Sequence, residues 1–291
     1  IEKGGKATEA FSKEMEQLTA MEAAAEPPVN FSALPDLRKP GECGFQKETW
    51  VLKDESRNRQ FYVDVYKPQR WRPGKTPAVI FSHGLASRPE DFAQLAGHLA
   101  SYGYVVALPQ HPGSDYKRVQ ALLEGYSREV FDLNEFINRP KDISYIIDEL
   151  QRRNPSEFEG RLDLESVGVA GHSFGGYTAL AVAGAEIDFE NLERECNQPF
   201  GGLNTLSCSS VGRLELPRQA YHFRDSRVKA VFAANPVNSS IFGPKGLSKI
   251  QIPVLIGAGS YDPATPFVLE QLRSFLWLGA PNKYLAMAEG Q

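Results

Sequence analysis

The chain has 291 residues, 42% of them hydrophobic and 23% charged, with a formal net charge of −4 at pH 7. This is the balance of a globular protein, and the length suits one large α/β domain or two small ones. An acidic chain has no general attraction to nucleic acid or anionic lipid, so we expect no nucleic-acid partner. No apolar run reaches the roughly 20 residues of a membrane helix, so we expect no transmembrane segment in this sequence.

The first part of the chain differs in composition from the rest. Residues 1 to 28 are helix-prone and charged, and Pro27 and Pro28 end that stretch because proline cannot continue a helix. A proline-rich connector follows. We predict an N-terminal helical segment and linker over 1–45 and the main domain over 46–291. The sequence opens on Ile1 rather than methionine, which suggests removal of an upstream segment such as an export signal.

Apolar patterning predicts the main domain. Two alternating segments, ETWVLKD and QFYVDVYKP, are typical of an antiparallel hairpin. Short continuous apolar runs then predict strands covered on both faces: 77–82, 104–109, 166–171, 228–236 and 252–259. Helical stretches separate most of these strands, among them PKDISYIIDELQRRN, which starts at Pro140. The segment NKYLAMAEG would be the last strand. The alternation predicts an α/β fold with a mostly parallel, doubly wound sheet.

One segment interrupts this alternation. Residues 187 to about 226 connect a helix to a strand that a few residues could join, and such long connections are usually functional or disordered. We therefore predict an inserted cap over the site. Its hydrophobic residues would shape a substrate pocket or form a small satellite core; they are Phe189, Phe200, Leu203, Tyr221 and Phe223.

The motif GHSFGG follows a predicted strand and opens a predicted helix, with Ser173 between two glycines. Such a turn raises a serine hydroxyl above the sheet and places the next amide beside it, so we predict that Ser173 is a nucleophile. A tetrahedral oxyanion needs two N–H donors. The candidates are the amide of Phe174 and the amide of Leu85 in the FSHGL loop, which ends an earlier strand.

The acid is expected after a later strand, where GAGSYDPATP supplies Asp262. That aspartate could instead only cap the following helix. In the chain order serine, acid, histidine, the base should follow Asp262, but the last histidine of the sequence is His222. His222 could serve only if the cap folded over Ser173. We expect the base to lie just beyond Gln291.

The three cysteines are Cys43, Cys196 and Cys208. They lack the spacing of a zinc site, so we expect no metal. A disulfide between Cys196 and Cys208 would suit an oxidising compartment, and two free thiols would suit the cytosol. A secreted or periplasmic location is slightly favoured. The predicted chemistry requires no cofactor.

Several long motifs together resemble known hydrolases. They are GHSFGGYTAL, FSHGLASRPEDFAQLAGHLASYGYVVALPQHPGSD, EFINRPKDISYIIDEL and RVKAVFAANPVNSSIFG. The sequence resembles α/β hydrolases of the dienelactone-hydrolase-like and platelet-activating-factor-acetylhydrolase-like group, and is most similar to a largely cyanobacterial set with an N-terminal helical domain. That set implies a Gly-x-x-His loop after the last strand. Asn235 stands where the mammalian acetylhydrolases carry their acid, which favours Asp262.

The predicted function is hydrolysis of carboxylic esters through a Ser-His-Asp triad and an acyl-enzyme. The substrate would be a small-molecule, lipid or polymeric ester, because GSYDPATP and NKYLAMAEG also resemble parts of cutinase-like polyester hydrolases. Acyl transfer and peptidase activity are lesser alternatives. The competing hypothesis from another class is a hydrolase fold that binds a ligand without catalysis.

Overall fold

The computed structural model describes residues 34–197 and 216–290, and single positions between residues 13 and 32. Phe200, Leu203 and Cys208, and the centre of the predicted cap, therefore lie outside the described residues. The division into domains at residue 45 stays a prediction. Within the described linker, backbone oxygens of Leu37 and Lys39 accept hydrogen bonds from the side chains of His98 and Tyr102, respectively. This contact holds residues 37–39 against the first helix of the main domain.

Eight strands form one sheet, in the spatial order β1-β2-β4-β3-β5-β6-β7-β8. The hairpin of β1 and β2 is antiparallel, as predicted, β2 is also antiparallel to β4, and the other neighbours are parallel. The strands are β1 (Phe45–Asp54), β2 (Arg59–Pro68), β3 (Thr76–Ser82), β4 (Val105–Pro109), β5 (Leu162–His172), β6 (Val228–Ala234), β7 (Val254–Gly259) and β8 (Lys283–Ala288).

Strand burial follows the apolar pattern. Every residue of β4 is buried, whereas β8, at the edge of the sheet, alternates half-buried with exposed residues. Because β3, β5, β6 and β7 are parallel, their carboxyl ends meet at one edge of the sheet. Loops that leave this edge are where open α/β sheets place ligand sites.

Helices cover both faces of the sheet. They are α1 (Ala93–Ser101), α2 (Tyr116–Leu123), α3 (Glu135–Glu157), α4 (Phe174–Ala183), α5 (Phe189–Cys196), α6 (Ser239–Leu247) and α7 (Arg273–Trp277). The smaller core lies between the sheet and α1, and the larger core includes buried residues of α3, α4 and α6. Within the described ranges, no helix is both long and apolar enough to cross a membrane.

Helix α3 begins earlier than the sequence predicts. Pro140 is typical of a first helical position, yet the helix starts at Glu135 and continues through this proline. Proline has no N–H to donate to the carbonyl four residues before it, which is that of Phe136. The hydroxyl of Tyr177 donates to that carbonyl at 3.0 Å instead. A tertiary hydrogen bond thus replaces the missing bond of the helix.

Candidate active site

Ser173 occupies a sharp turn between β5 and α4. Its backbone has φ 54° and ψ −114°, a conformation that side-chain-bearing residues rarely adopt and that is found where structure is constrained at functional sites. The Ser173 amide donates to the oxygen of Ala234, which ends the neighbouring strand β6. The turn is therefore held at the carboxyl edge of the sheet.

The glycines around Ser173 are needed for close packing. A Cβ on Gly171 would lie 2.1 Å from the oxygen of Gly175, and one on Gly175 would lie 1.9 Å from the oxygen of Ser82. Both separations are shorter than any tolerable contact with backbone. Glycine at position 171 therefore lets the turn close on itself, and glycine at position 175 lets the start of α4 pack directly on the end of β3.

The loop after β3 lies against this turn. A Cβ on Gly84 would come within 3.4 Å of Ser173 Cβ and 3.1 Å of His172 Nδ1. The next residue, Leu85, is half-buried and packs on the main core. The two segments that were predicted to supply the oxyanion donors are thus in contact.

Both candidate donors are free to bind. Among the hydrogen bonds of the described residues, none uses the amide N–H of Leu85 or of Phe174. The N–H of Phe174 stands at the first turn of α4, where amides have no partner within the helix. Two such amides near a serine hydroxyl can stabilise an oxyanion.

Asp262 follows β7 on the same edge and is held from several sides. Its Oδ1 accepts from the amides of Ala264 and Thr265 at 2.8 and 3.1 Å, and its Oδ2 accepts from the Thr265 hydroxyl and the Asn235 side chain, each at 2.6 Å. Partial burial opposes the charge, but these hydrogen bonds outweigh it and hold the pKa of Asp262 below its usual value. The carboxylate is therefore ionised and fixed in orientation.

None of the histidines hydrogen-bonds the Ser173 hydroxyl within the described residues. His98 binds the linker, and His172 is exposed beside the ring of Phe92. His222 pairs with Glu186 at 2.9 Å. Asp225, three residues after His222 in the chain, donates its amide to the oxygen of Val182. Val182 lies at the C-terminal end of α4, and Ser173 precedes the N-terminal end. A helix of ten residues spans about 15 Å, so His222 is too distant to be the base.

His83 and His111 lie in the core behind the FSHGL loop. The His111 amide donates to Nε2 of His83, so the proton of His83 is on Nδ1, which donates to the Gly84 oxygen at 2.7 Å. Burial lowers the pKa of each histidine well below its usual range, and the nearby charge of Arg139 lowers both further. Both imidazoles are therefore neutral.

His111 also belongs to a second set of triad-like contacts. Its Nε2 lies 2.9 Å from the Ser82 hydroxyl and its Nδ1 lies 3.0 Å from Oδ2 of Asp142. All three residues are inaccessible to solvent, and Asp142 also pairs with Arg57 and Arg59. No substrate can reach Ser82 in this structure, so this constellation is part of the scaffold.

The described members of the predicted pocket pack against one another. Tyr221 and Phe223 are buried and stack on each other, and Phe189 lies 6.2 Å from the Tyr221 ring. Phe223 adjoins the segment that contacts the far end of α4. Tyr221 and Phe223 thus belong to the larger core and Phe189 packs against it, while their part in shaping a substrate pocket stays a prediction.

The cysteines differ in state. Cys43 is a free thiol, whereas Cys196 is disulfide-bonded. Because Cys208 lies outside the described residues, its pairing with Cys196 remains a prediction. In the part of the chain that the structure describes, no three histidine, cysteine or acidic side chains converge on a point where a metal could bind.

Arg139 is a site residue that the sequence does not predict. Its guanidinium is fully buried, donates to the oxygens of His83 and Gly84 at 2.6 and 3.4 Å, and lies 4.2 Å from the centre of the Phe174 ring. Arginine is seldom buried, so sequence pattern places it at the surface. The segment around it, EFINRP, mixes polar and apolar residues and gives no signal of this burial.

Comparison with known proteins agrees with this architecture. The family model described as Chlorophyllase, an α/β-hydrolase family, matches residues 59–195. A 52-residue segment is 42% identical to the protein described as "Putative phospholipase A2" of Schizosaccharomyces pombe, and that match covers 17% of this chain and 12% of the yeast protein. The match thus spans about an eighth of the relative.

Two solved structures of a cold-adapted esterase from an Arctic intertidal metagenomic library are also similar. The native structure has a TM-score of 0.51 and the complex with polyethylene glycol a TM-score of 0.53, each at 16% sequence identity. The alignments cover 85% of this chain and 85% and 86% of the esterase chains, respectively. The chain therefore has the α/β-hydrolase fold.

Proposed function

We propose that the protein is a serine hydrolase of carboxylic esters. The observation that carries this proposal is the backbone of Ser173, which is held at positive φ between β5 and α4 with the Gly84 loop packed against it. The Chlorophyllase family match and the esterase structures support the same chemistry.

In this proposal the Ser173 oxygen attacks the ester carbonyl while a histidine takes the hydroxyl proton. The amides of Leu85 and Phe174 stabilise the tetrahedral oxyanion, and the histidine then protonates the departing alcohol. Water, activated by the same histidine, attacks the acyl-enzyme and releases the acid. The carboxylate of Asp262 holds the histidine and stabilises its charged form.

We propose that this histidine follows residue 291. Strand β8 runs parallel to β7, and the pairing of Gly259 with Ala288 brings the end of β8 beside the loop that carries Asp262. The Gly290 amide donates to the Ser260 hydroxyl, two residues before Asp262. A chain that continues past this point enters the region of the acid, and this order of serine, acid and histidine is the order of α/β hydrolases.

For the substrate we propose two classes of ester, lipid esters and polyesters. The yeast protein described as a phospholipase A2 supports a lipid ester, and the resemblance to cutinase-like enzymes supports a polyester. The test is steady-state hydrolysis of p-nitrophenyl esters of short and medium acyl length, a phospholipid and a polyester film by the full-length protein. Ser173→Ala serves as the control for background hydrolysis.

We expect turnover of at least one ester that Ser173→Ala abolishes. A protein ending at Gln291 should lose several orders of magnitude in rate, because removal of a triad member has this effect. If the full-length protein hydrolyses none of these substrates, the non-catalytic binding module becomes the better explanation of the fold.

A further inference from the structure

The peptide between Gly84 and Leu85 is fixed from its carbonyl side. The Gly84 oxygen accepts the Nδ1 proton of His83 at 2.7 Å and lies 3.4 Å from Nη2 of Arg139. Both donors are buried. The carbonyl of this peptide therefore points into the core.

The orientation of that carbonyl determines where the Leu85 N–H points. A trans peptide is planar and directs its C=O and N–H to opposite sides, and the described residues contain no cis peptide. The Leu85 N–H consequently points away from the core. Hydrogen bonds to the carbonyl also polarise the peptide and strengthen its N–H as a donor.

Arg139 connects this peptide to the second oxyanion donor. Its Nη1 donates to the His83 oxygen at 2.6 Å, and its guanidinium lies over the ring of Phe174, whose own amide is the other donor. Its Nε donates to the Ser114 hydroxyl at 2.9 Å, and the backbone carbonyl of the same Ser114 accepts from the amide of Ala86, which follows Leu85. One side chain thus contacts both segments that form the oxyanion site.

Arg139 has only a long ion pair with a carboxylate. Its nearest acidic atom, Oε2 of Glu135, lies 3.9 Å away, and Glu135 makes two shorter bonds with Arg59 at 2.8 and 3.1 Å. Burying a cation without a close ion pair is costly. Burial lowers the pKa of Arg139 to about 10, which still leaves it charged at neutral pH. The positive charge is therefore directed at backbone carbonyls of the loop.

We propose that Arg139 is the positioning residue of the oxyanion site, holding the Gly84–Leu85 peptide and Phe174 so that their two amides converge on the carbonyl attacked by Ser173. The proposal rests on the proposed ester hydrolysis. Arg139 itself does not touch the substrate. It acts through the orientation of the two donors and through a cationic charge behind them.

The test compares Arg139→Met and Arg139→Lys with a matched control, Arg57→Met, in the full-length protein. Arg57 belongs to the same buried cluster and pairs with Asp54 and Asp142. Among the contacts of the described residues, Arg57 touches neither the Gly84 loop nor Phe174. The measurements are kcat and KM on p-nitrophenyl butyrate, the inhibition constant of an alkyl boronic acid, and thermal unfolding.

Loss of an oxyanion donor lowers kcat by about 10²–10³, so a misdirected donor should lower it by about 10–10² in Arg139→Met, with KM changed little. Boronic acids form a tetrahedral adduct on the serine, so their affinity should fall in parallel. Arg139→Lys keeps the charge but cannot bridge the same groups. Its kcat and boronate affinity should therefore lie between those of the wild type and Arg139→Met. Arg57→Met should lose stability and keep kcat.

Wild-type kcat and boronate affinity in folded Arg139→Met would overturn the proposal. If Arg139→Met does not fold, Arg139→Lys decides, and wild-type values in that variant would overturn it equally. An equal loss of kcat in Arg57→Met would show a merely structural effect and would also overturn it. Failure of the wild-type protein to hydrolyse any ester would instead overturn the proposed function.

Discussion

The side-chain amide of Asn235 donates a 2.6 Å hydrogen bond to Oδ2 of Asp262. The two residues follow neighbouring strands, β6 and β7, so the residue directly after β6 is a neutral hydrogen-bond donor to the acid proposed here. Together with Thr265, Asn235 keeps the carboxylate ionised and fixed.

Replacing Asp262 should show, through the pH dependence of stability, that its carboxylate is ionised and hydrogen-bonded in the folded protein. A carboxyl group whose pKa is lowered by folding stabilises the protein above its unfolded pKa, and this contribution is lost as the pH falls through the folded pKa. Asp262→Asn should therefore lower the free energy of unfolding at pH 7 by about 1–3 kcal/mol. The difference in unfolding free energy between this variant and the wild type should shrink as the pH falls below 3.8, the ordinary pKa of an aspartate.

Urea unfolding of both proteins between pH 7 and pH 3 measures this difference. Thr265→Val, which removes a single donor to Oδ2, should show a smaller effect with the same pH dependence. A difference that stays constant over the whole range would contradict an ionised Asp262 held by these hydrogen bonds.

Ser173 should carry backbone strain that glycine relieves. A non-glycine residue in such a conformation costs about 1–3 kcal/mol. Ser173→Gly should raise the melting temperature while abolishing turnover, and Ser173→Ala should abolish turnover with stability nearly unchanged. Asn58→Gly, at φ 46° in the β1–β2 turn, is the control for glycine at positive φ away from the site. Equal stability of Ser173→Gly and Ser173→Ala would argue against strain.

The glycines of β5 and α4 should differ sharply in tolerance. Gly175→Ala forces a Cβ to within 1.9 Å of the Ser82 oxygen, so either the turn or β3 must move. Gly168→Ala, whose nearest neighbour would be a Val79 methyl at 3.6 Å, should fold normally. Circular dichroism melting curves distinguish the two variants, and comparable stability would contradict so close a contact between Gly175 and β3.

Ser82 should not react as a nucleophile despite its triad-like partners. Its hydroxyl is fully buried, so a fluorophosphonate probe should label Ser173 and leave Ser82 unmodified in the folded protein. Ser82→Ala should lose about 1–3 kcal/mol of stability from the broken contact with His111. The probe should still label Ser173 in this variant. Peptide mapping of the labelled protein identifies the modified serine, and label on Ser82 would refute its scaffold role.

The sequence predicts the fold well because its signals are local. Short apolar runs mark the central strands, and glycine spacing marks the Ser173 turn. The start of α3 could not be predicted, because it depends on the Tyr177 hydroxyl replacing the hydrogen bond that Pro140 lacks. Likewise α6 contains Gly243 at φ 56° and a proline, which conceal a helix from pattern reading.

The site is predictable only where motifs carry it. Ser173, Leu85, Phe174 and Asp262 lie at strand ends that the pattern identifies. The burial of Arg139 and the neutral state of His83 depend on groups distant in sequence that meet behind the loop. For the same reason the sequence alone does not assign the aromatic residues of the inserted segment, such as Tyr221, to pocket or core.

The most direct test of the central proposal is mass spectrometry of the full-length protein mixed with a slowly deacylating p-nitrophenyl ester. We expect a burst of p-nitrophenol and one acyl group added per chain, which peptide mapping should locate on Ser173, with no adduct in Ser173→Ala. Ester turnover without an adduct on Ser173, or an adduct on any other residue, would contradict it.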